Sequence, residues 1–192
     1  DGELDMLLFY LPLAGSAFKK VYFDTVTRAA VSSFVEPQDL IVPYEASDLN
    51  TAERVTQVIA MSRNEIRKQQ LAGFYADVEI KEGGAYLRRD EIDEEIDDIQ
   101  GVSPSYNSDR DHLIYEVHTV LDLPGFEDIG EDGEPTGLKL PYIVTIDDSS
   151  RQVLAIRRNY RQNDPFKRKI NYFVQYKFLP GLGFYGLGLS HM

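Results

Sequence analysis

A chain of 192 residues with 43% apolar content is long enough for one well-buried core or two small ones, so it is expected to fold. No apolar run approaches the roughly 20 residues of a membrane span. Met6 to Leu13 is too short and lacks the basic leader of a signal peptide, so the chain is read as soluble with no membrane contact. The absence of cysteine removes disulfide and thiol chemistry, and a net charge of -12 argues against a free-standing nucleic-acid binder.

From the N-terminus, Leu4 to Leu13 has the apolar density of a mostly buried helix, with Asp1 or Asp5 near its start, Pro12 as its stop and Gly15 as a break. Phe18 to Asp24 and Val31 to Val42 follow as strands punctuated by Pro37 and Pro43, and Arg54 to Ala60 adds another. The best-specified local element comes next. Ser62 as N-cap, Glu65 at N3, Met61 before the cap and Ile66 at N4 form a capping box with a hydrophobic staple, and Gly73 supplies the stop.

Asp90 to Gln100 places Ile92, Ile96 and Ile99 on one face of a short helix whose other faces are carboxylate. Val102 to Arg110 reads as loop, Leu113 to Leu123 as strand, and Pro124 to Gly137, rich in glycine and acid, as a surface excursion. Tyr142 to Ile146 and Gln152 to Asn159 are strands around a tight Asp147-Asp148-Ser149-Ser150 turn, and Ile170 to Phe178 provides a third. The expected fold is α+β, an antiparallel or mixed β-sheet with about three short helices, in a single domain over 1–192.

Charge is segregated along the chain. Acids dominate from Asp77 to Asp98, including Asp93, Glu94, Asp97 and Asp98. Cations dominate from Arg151 to Lys177, where Arg157, Arg158, Arg161, Lys167, Arg168 and Lys169 face Asp164 as the lone acid. Two oppositely charged surfaces are therefore expected. The basic hairpin interleaves cations with aromatics and could touch phosphate or stack on bases, but in a negative surrounding field a salt-bridged subunit contact is the better reading.

Chemical signatures are weak. Gly181-x-Gly183-x-x-Gly186 matches a nucleotide fingerprint, yet no helix or ribose-binding acid follows, so the glycines read as a tight turn passing close to another element. The acidic helix spreads its carboxylates instead of converging them on a metal. Glu127, Asp128, Glu131, Asp132 and Glu134 resemble a calcium loop, but Lys139 stands where the bidentate acid belongs. His112, His118 and His191 fit neither a zinc motif nor a charge relay and read as structural. No catalytic, metal or cofactor site is expected, and the chain is read as not an enzyme.

Several segments together resemble one family. Ser62-Arg63-Asn64-Glu65-Ile66-Arg67-Lys68 through Ala72-Gly73-Phe74-Tyr75, Gly137 through Ile146, Ile156-Arg157-Arg158-Asn159-Tyr160 and Tyr172 through Gly188 are similar in order and spacing to portal proteins of short-tailed bacteriophages. The resemblance implies an interior wing-region fragment of a larger portal. Consistent with that, the chain does not open on methionine, and its Gly-rich aromatic run, Phe178 to Gly188, is expected to need neighbours beyond Met192.

The intact protein would be a head-to-tail connector ring at a capsid vertex, usually of twelve subunits, in a virion assembled in the host cytoplasm. It would meet capsid, terminase and tail, and DNA would pass through its channel without sequence-specific binding. No catalytic residue carries over. In such a ring the acidic helix or the 124–137 loop of one subunit is expected near the basic hairpin of another. The competing readings are a carboxylate-dependent hydrolase and a generic protein-binding module.

Overall fold

In a computed structural model, residues 2–24, 28–80, 112–130 and 132–189 are described. The acidic helix expected near 90–100, with Asp93, Glu94, Asp97 and Asp98, and the loop expected over 102–110 lie outside them. The fold is α+β with two antiparallel sheets. Among the described residues there are two helices, α1 (Gly2–Ala14) and α2 (Arg63–Leu71), against about three expected, and one 3-10 turn at Pro37–Asp39.

The first sheet has the order β2 (Ala29–Val35), β1 (Ser16–Asp24), β8 (Phe173–Lys177). The second runs β3 (Leu40–Ile41), β4 (Arg54–Met61), β5 (His112–Leu121), β6 (Leu140–Asp147), β7 (Val153–Arg158). Two compact units result, one of residues 1–57, 118–142 and 158–192, the other of 58–117 and 143–157.

In the first unit, Phe18 of β1 lies opposite Val35 on one side and Gln175 on the other. Phe18, Val35, Leu40, Leu49, Ala52, Val55, Phe173 and Phe184 form its core. The single run expected from Val31 to Val42 is instead broken. Pro37 has no N–H for a ladder and opens the 3-10 turn, so Leu40 and Ile41 join Gln57 and Thr56 in the other sheet.

Helix α1 departs from expectation in two ways. Pro12 lies inside it, forfeiting one backbone bond in the last turn, and the helix ends at Gly15, which has φ 76 and donates its N–H to Leu11. Nor is the helix mostly buried. Its apolar residues run all round, and only one side can lie on the sheet. Leu7 is buried and Tyr10 meets the Phe34 ring at 5.3 Å, whereas Leu4, Met6, Leu8, Phe9 and Leu13 are 42–63% exposed.

The Gly-rich segment folds back over β8 and the end of α1. Leu179 and Leu187 exchange backbone bonds of 3.2 and 2.8 Å, and Phe178 donates to the Gly15 carbonyl at 3.0 Å. Gly186 donates its N–H to the buried Ser16 hydroxyl at 2.8 Å. Phe184 stacks on Phe18 at 5.9 Å. Glycine is required here because any Cβ on residue 15 would lie 2.5 Å from the Gly186 carbonyl and from the Gly188 nitrogen. A Cβ on Gly186 would likewise meet the Leu179 carbonyl at 2.8 Å, so these glycines let backbone pass close to backbone, as the tight-turn reading expects.

In the second unit, α2 begins and ends as its sequence dictates. The Ser62 hydroxyl accepts from the Glu65 N–H, and the Glu65 carboxylate accepts from the Ser62 N–H. At the other end Phe74 donates to Gln69 and Gly73, at φ 75, donates to Gln70, the paired bonds of a Schellman stop. The Ser62 N-cap contributes about 1 kcal/mol. Ile66 turns inward to join Ile80, Ile114 and Leu154, with Met61 packed beside them.

Candidate functional site

The cationic segment begins where β7 ends. Asn159 is buried and closes the excursion that follows it: its N–H donates to Pro141, its Nδ2 donates to the Ile170 carbonyl at 3.1 Å, and its own carbonyl accepts from Ile170 N–H at 3.0 Å. Residues 160–169 therefore form a loop whose two ends are pinned together, all of it within the first unit.

Inside that loop Asp164 organises the backbone. Its Oδ1 accepts from the Phe166 N–H at 3.1 Å, and its Oδ2 accepts from the Arg168 N–H at 3.2 Å and from Arg168 Nε at 3.0 Å. The Arg168 guanidinium, chiefly, holds the Asp164 carboxyl below its ordinary range, helped by both amides. The one acid in the cationic run is thus an internal fastener.

The cations separate by what they touch. Lys167 pairs with Asp128 of the 124–137 loop. Lys169 reaches back to the carbonyls of Leu49 at 3.3 Å and Ala52 at 2.9 Å, and burial lowers its ammonium from the ordinary lysine value against the opposing pull of Asp48. Arg158, Arg161 and Arg168 are exposed. Arg157 belongs to the other unit, where its guanidinium lies 5.0 Å over the Phe74 ring and donates to the Phe74 carbonyl at 3.0 Å. Lys167 and Lys169 are thus engaged within their own unit.

The acidic loop already meets the basic segment within one chain, through Lys167 and Asp128. Two of its other carboxylates, Glu127 and Asp132, bond within the loop itself. Glu127 accepts from Gly125 N–H at 2.8 Å, which lowers its carboxyl, and Asp132 accepts from Glu134 N–H at 3.2 Å. Asp128 also accepts from the Thr136 hydroxyl at 2.9 Å. Among the described residues no three His, Asp or Glu converge on a point a metal could occupy.

Two histidines are packed into the interior. His118 lies edge-on to Phe173 at 5.0 Å in the first unit. In the second, His112 Nδ1 stands 3.5 Å from Asp147 Oδ1 with both side chains buried. His191 lies outside the described residues. Asp147 does more than the sequence reading assigned to it. Its Oδ2 accepts from the Ser149 hydroxyl at 2.6 Å, the Ser150 hydroxyl at 2.7 Å and the Ser150 N–H at 2.8 Å. Burial pushes its carboxyl up, but these three donors and His112 outweigh that and hold it below its ordinary value. The Asp-Asp-Ser-Ser string was the available signal, since a short acid followed by serines folds back on its own turn.

Among the described residues no helix is long and apolar enough to cross a membrane. Comparison of the chain with protein-family models and with curated proteins finds no match.

Proposed function

We propose that this chain is the wing-region part of a portal subunit, a structural element of the ring through which a bacteriophage genome is packaged and ejected. The intact protein assembles with copies of itself, meets capsid, terminase and tail proteins, and lets DNA pass without reading its sequence. It acts in the virion after assembly in the host cytoplasm. It carries out no chemical step.

Two things support this reading: the ordered resemblance from Ser62 to Gly188, and one physical observation that carries most weight. Helix α1 leaves Leu4, Met6, Leu8, Phe9 and Leu13 in contact with solvent on a single 13-residue element. Five large apolar side chains exposed on one short helix mark a surface that is covered in the working assembly. A ring supplies such cover, because each subunit offers one side to the other side of its neighbour.

The exposed cations provide a test. Arg158 and Arg161 are the residues to reverse, since Arg157 is engaged with Phe74 and its loss would disturb the fold. Arg158→Glu combined with Arg161→Glu in the full-length protein is expected to reduce ring yield several-fold at low ionic strength. The deficit should shrink as salt screens the contact. Equal ring yield for both proteins at low salt would remove these cations from the subunit contact.

A further inference from the structure

The outer edge of the first sheet is fixed in phase by one bond. Val21 N–H donates to the Tyr172 carbonyl at 2.7 Å, so the main-chain groups of odd-numbered β1 residues face β8 and those of even-numbered ones face β2. Even residues of β1 stand opposite odd residues of β2, as Tyr22 does opposite Val31 and Lys20 opposite Ser33. The main-chain groups of Ala29, Val31 and Ser33 are therefore spent on β1, and those of Ala30, Ser32 and Phe34 point outward. Phe34 agrees with this phase, because its N–H is taken from outside by the Glu3 carboxylate. Ala30 and Ser32 are exposed, and among the described residues nothing bonds to their outward groups.

An edge left in this state is a template for another extended segment, and proteins commonly block one with a charge, a proline or a bulge. The strand Ala29–Val35 has none of the three. Its rim is built from alanine and serine, so a second backbone can approach without collision. Alternating N–H and C=O groups at the ladder spacing select an extended strand as the occupant.

Which strand fits follows from the residues beside the edge. Self-pairing brings a strand against itself and therefore tolerates no like charges at the seam, a condition β2 meets over its whole length. A second β2 laid antiparallel with Val31 opposite Val31 pairs Ala30 with Ser32 in both directions and satisfies all their outward groups at once. One face across the seam then reads Tyr22, Val31, Val31, Tyr22, and the other Phe23, Ala30, Ser32, Val21. No charge stands on either row, and the exposed Val21, Tyr22 and Phe23 side chains flank small residues they can cover. The next row runs from Asp24 of one copy through Ala29 and Ser33 to Lys20 of the other, so the charges bounding the seam are opposite in sign. Glu3 keeps its bond to Phe34 and ends the ladder on each side.

We infer that β2 is a docking edge for a second copy of this chain, the two joined by antiparallel pairing of residues 29–33 into one sheet of six strands, three from each. The contact is isologous and is used up in a pair, so it stands whether or not the chain also closes into rings.

Amide hydrogen exchange over a concentration series up to about 1 mM reads this edge residue by residue. The Ala30 and Ser32 amides are expected to exchange as open groups in dilute solution and to slow at least about tenfold as the chain is concentrated, while Val31 and Ser33 stay protected throughout. Ser32→Pro removes one outward N–H without touching the bonds to β1, and should weaken the dimer seen in sedimentation velocity about tenfold or more. Val31→Cys reports the register. The native chain has no cysteine, and facing residues of a non-hydrogen-bonded pair bring their Cα atoms to about 4.5 Å, within disulfide reach. On oxidation Val31→Cys should pass into covalent dimer, whereas Tyr44→Cys, at a fully exposed site away from the edge, should not. Val31→Lys and Val31→Glu should each be monomeric alone and should pair when mixed.

A chain that stays monomeric at the highest concentration, a dimer indifferent to Ser32→Pro, or oxidised Val31→Cys that links no faster than Tyr44→Cys would each overturn the inference. A mixture of Val31→Lys and Val31→Glu that remains monomeric counts against it equally, which keeps the test decisive if the proline lowers stability. Edge amides slowed by a synthetic Thr-Val repeat peptide but not by more chain would assign β2 to a foreign strand and overturn the second-copy assignment.

Discussion

Gly15→Ala is expected to lower the stability of this protein by about 3 kcal/mol or more, enough to bring its thermal midpoint down by roughly 10 °C. Two penalties coincide at the residue. It holds φ 76, and the added methyl group would stand 2.5 to 2.6 Å from backbone atoms of residues 186, 187 and 188. Relief by movement is closed off, since the Gly15 carbonyl accepts from Phe178 and Gly186 is bonded to Ser16. Gly73→Ala is the control. Gly73 has nearly the same φ, 75, but nothing lies within 4 Å of its missing Cβ. That variant should lose only the roughly 1–2 kcal/mol of a left-handed non-glycine residue. Equal losses for both, measured by denaturant unfolding, would show that the tail does not pack on the end of α1.

Asp147→Ala is expected to cost about 3–5 kcal/mol, because it strips a buried acceptor from two hydroxyls and an amide and removes the carboxylate beside His112. Asp147→Asn keeps one oxygen and should lose less. Acid separates the two variants from the native protein in a second way. The Asp147 carboxyl titrates lower in the fold than in the unfolded chain, so its contribution is complete above the unfolded value of about 3.9. That contribution falls away as pH drops through the folded value, where the unfolded chain binds more protons. Stability measured from pH 6 downward should therefore decline less steeply below about pH 4 in Asp147→Asn than in the native chain. Superimposable acid profiles would contradict the arrangement around the turn.

What the sequence made legible follows the range of the interactions involved. Helix α2 could be read from cap to stop because Ser62, Glu65 and Gly73 act within one turn of themselves. Pro37 was visible as punctuation, but that the chain changes sheets there depends on Leu40 finding Gln57, which no local pattern states. The pairing of β1 with β8 joins Phe18 to Gln175 and is equally silent in either segment alone. Apolar density in α1 signalled a helix and gave no hint that half its circumference faces solvent. The cationic segment shows the same limit for charge. Lys167 and Lys169 satisfy themselves on Asp128 and on backbone carbonyls of their own chain, while Arg161 and Arg168 stay outside, and composition weighs all four alike. Asp164, as the lone acid in a basic run, was the residue most worth pausing over, since it shapes the 160–169 loop.

The most direct measurement of the central claim is electron microscopy of the full-length protein. The portal reading predicts closed rings with an axial hole, in which density for this chain lies at the periphery and copies meet side by side. A compact monomer at every concentration, or a particle with no central channel, would contradict it.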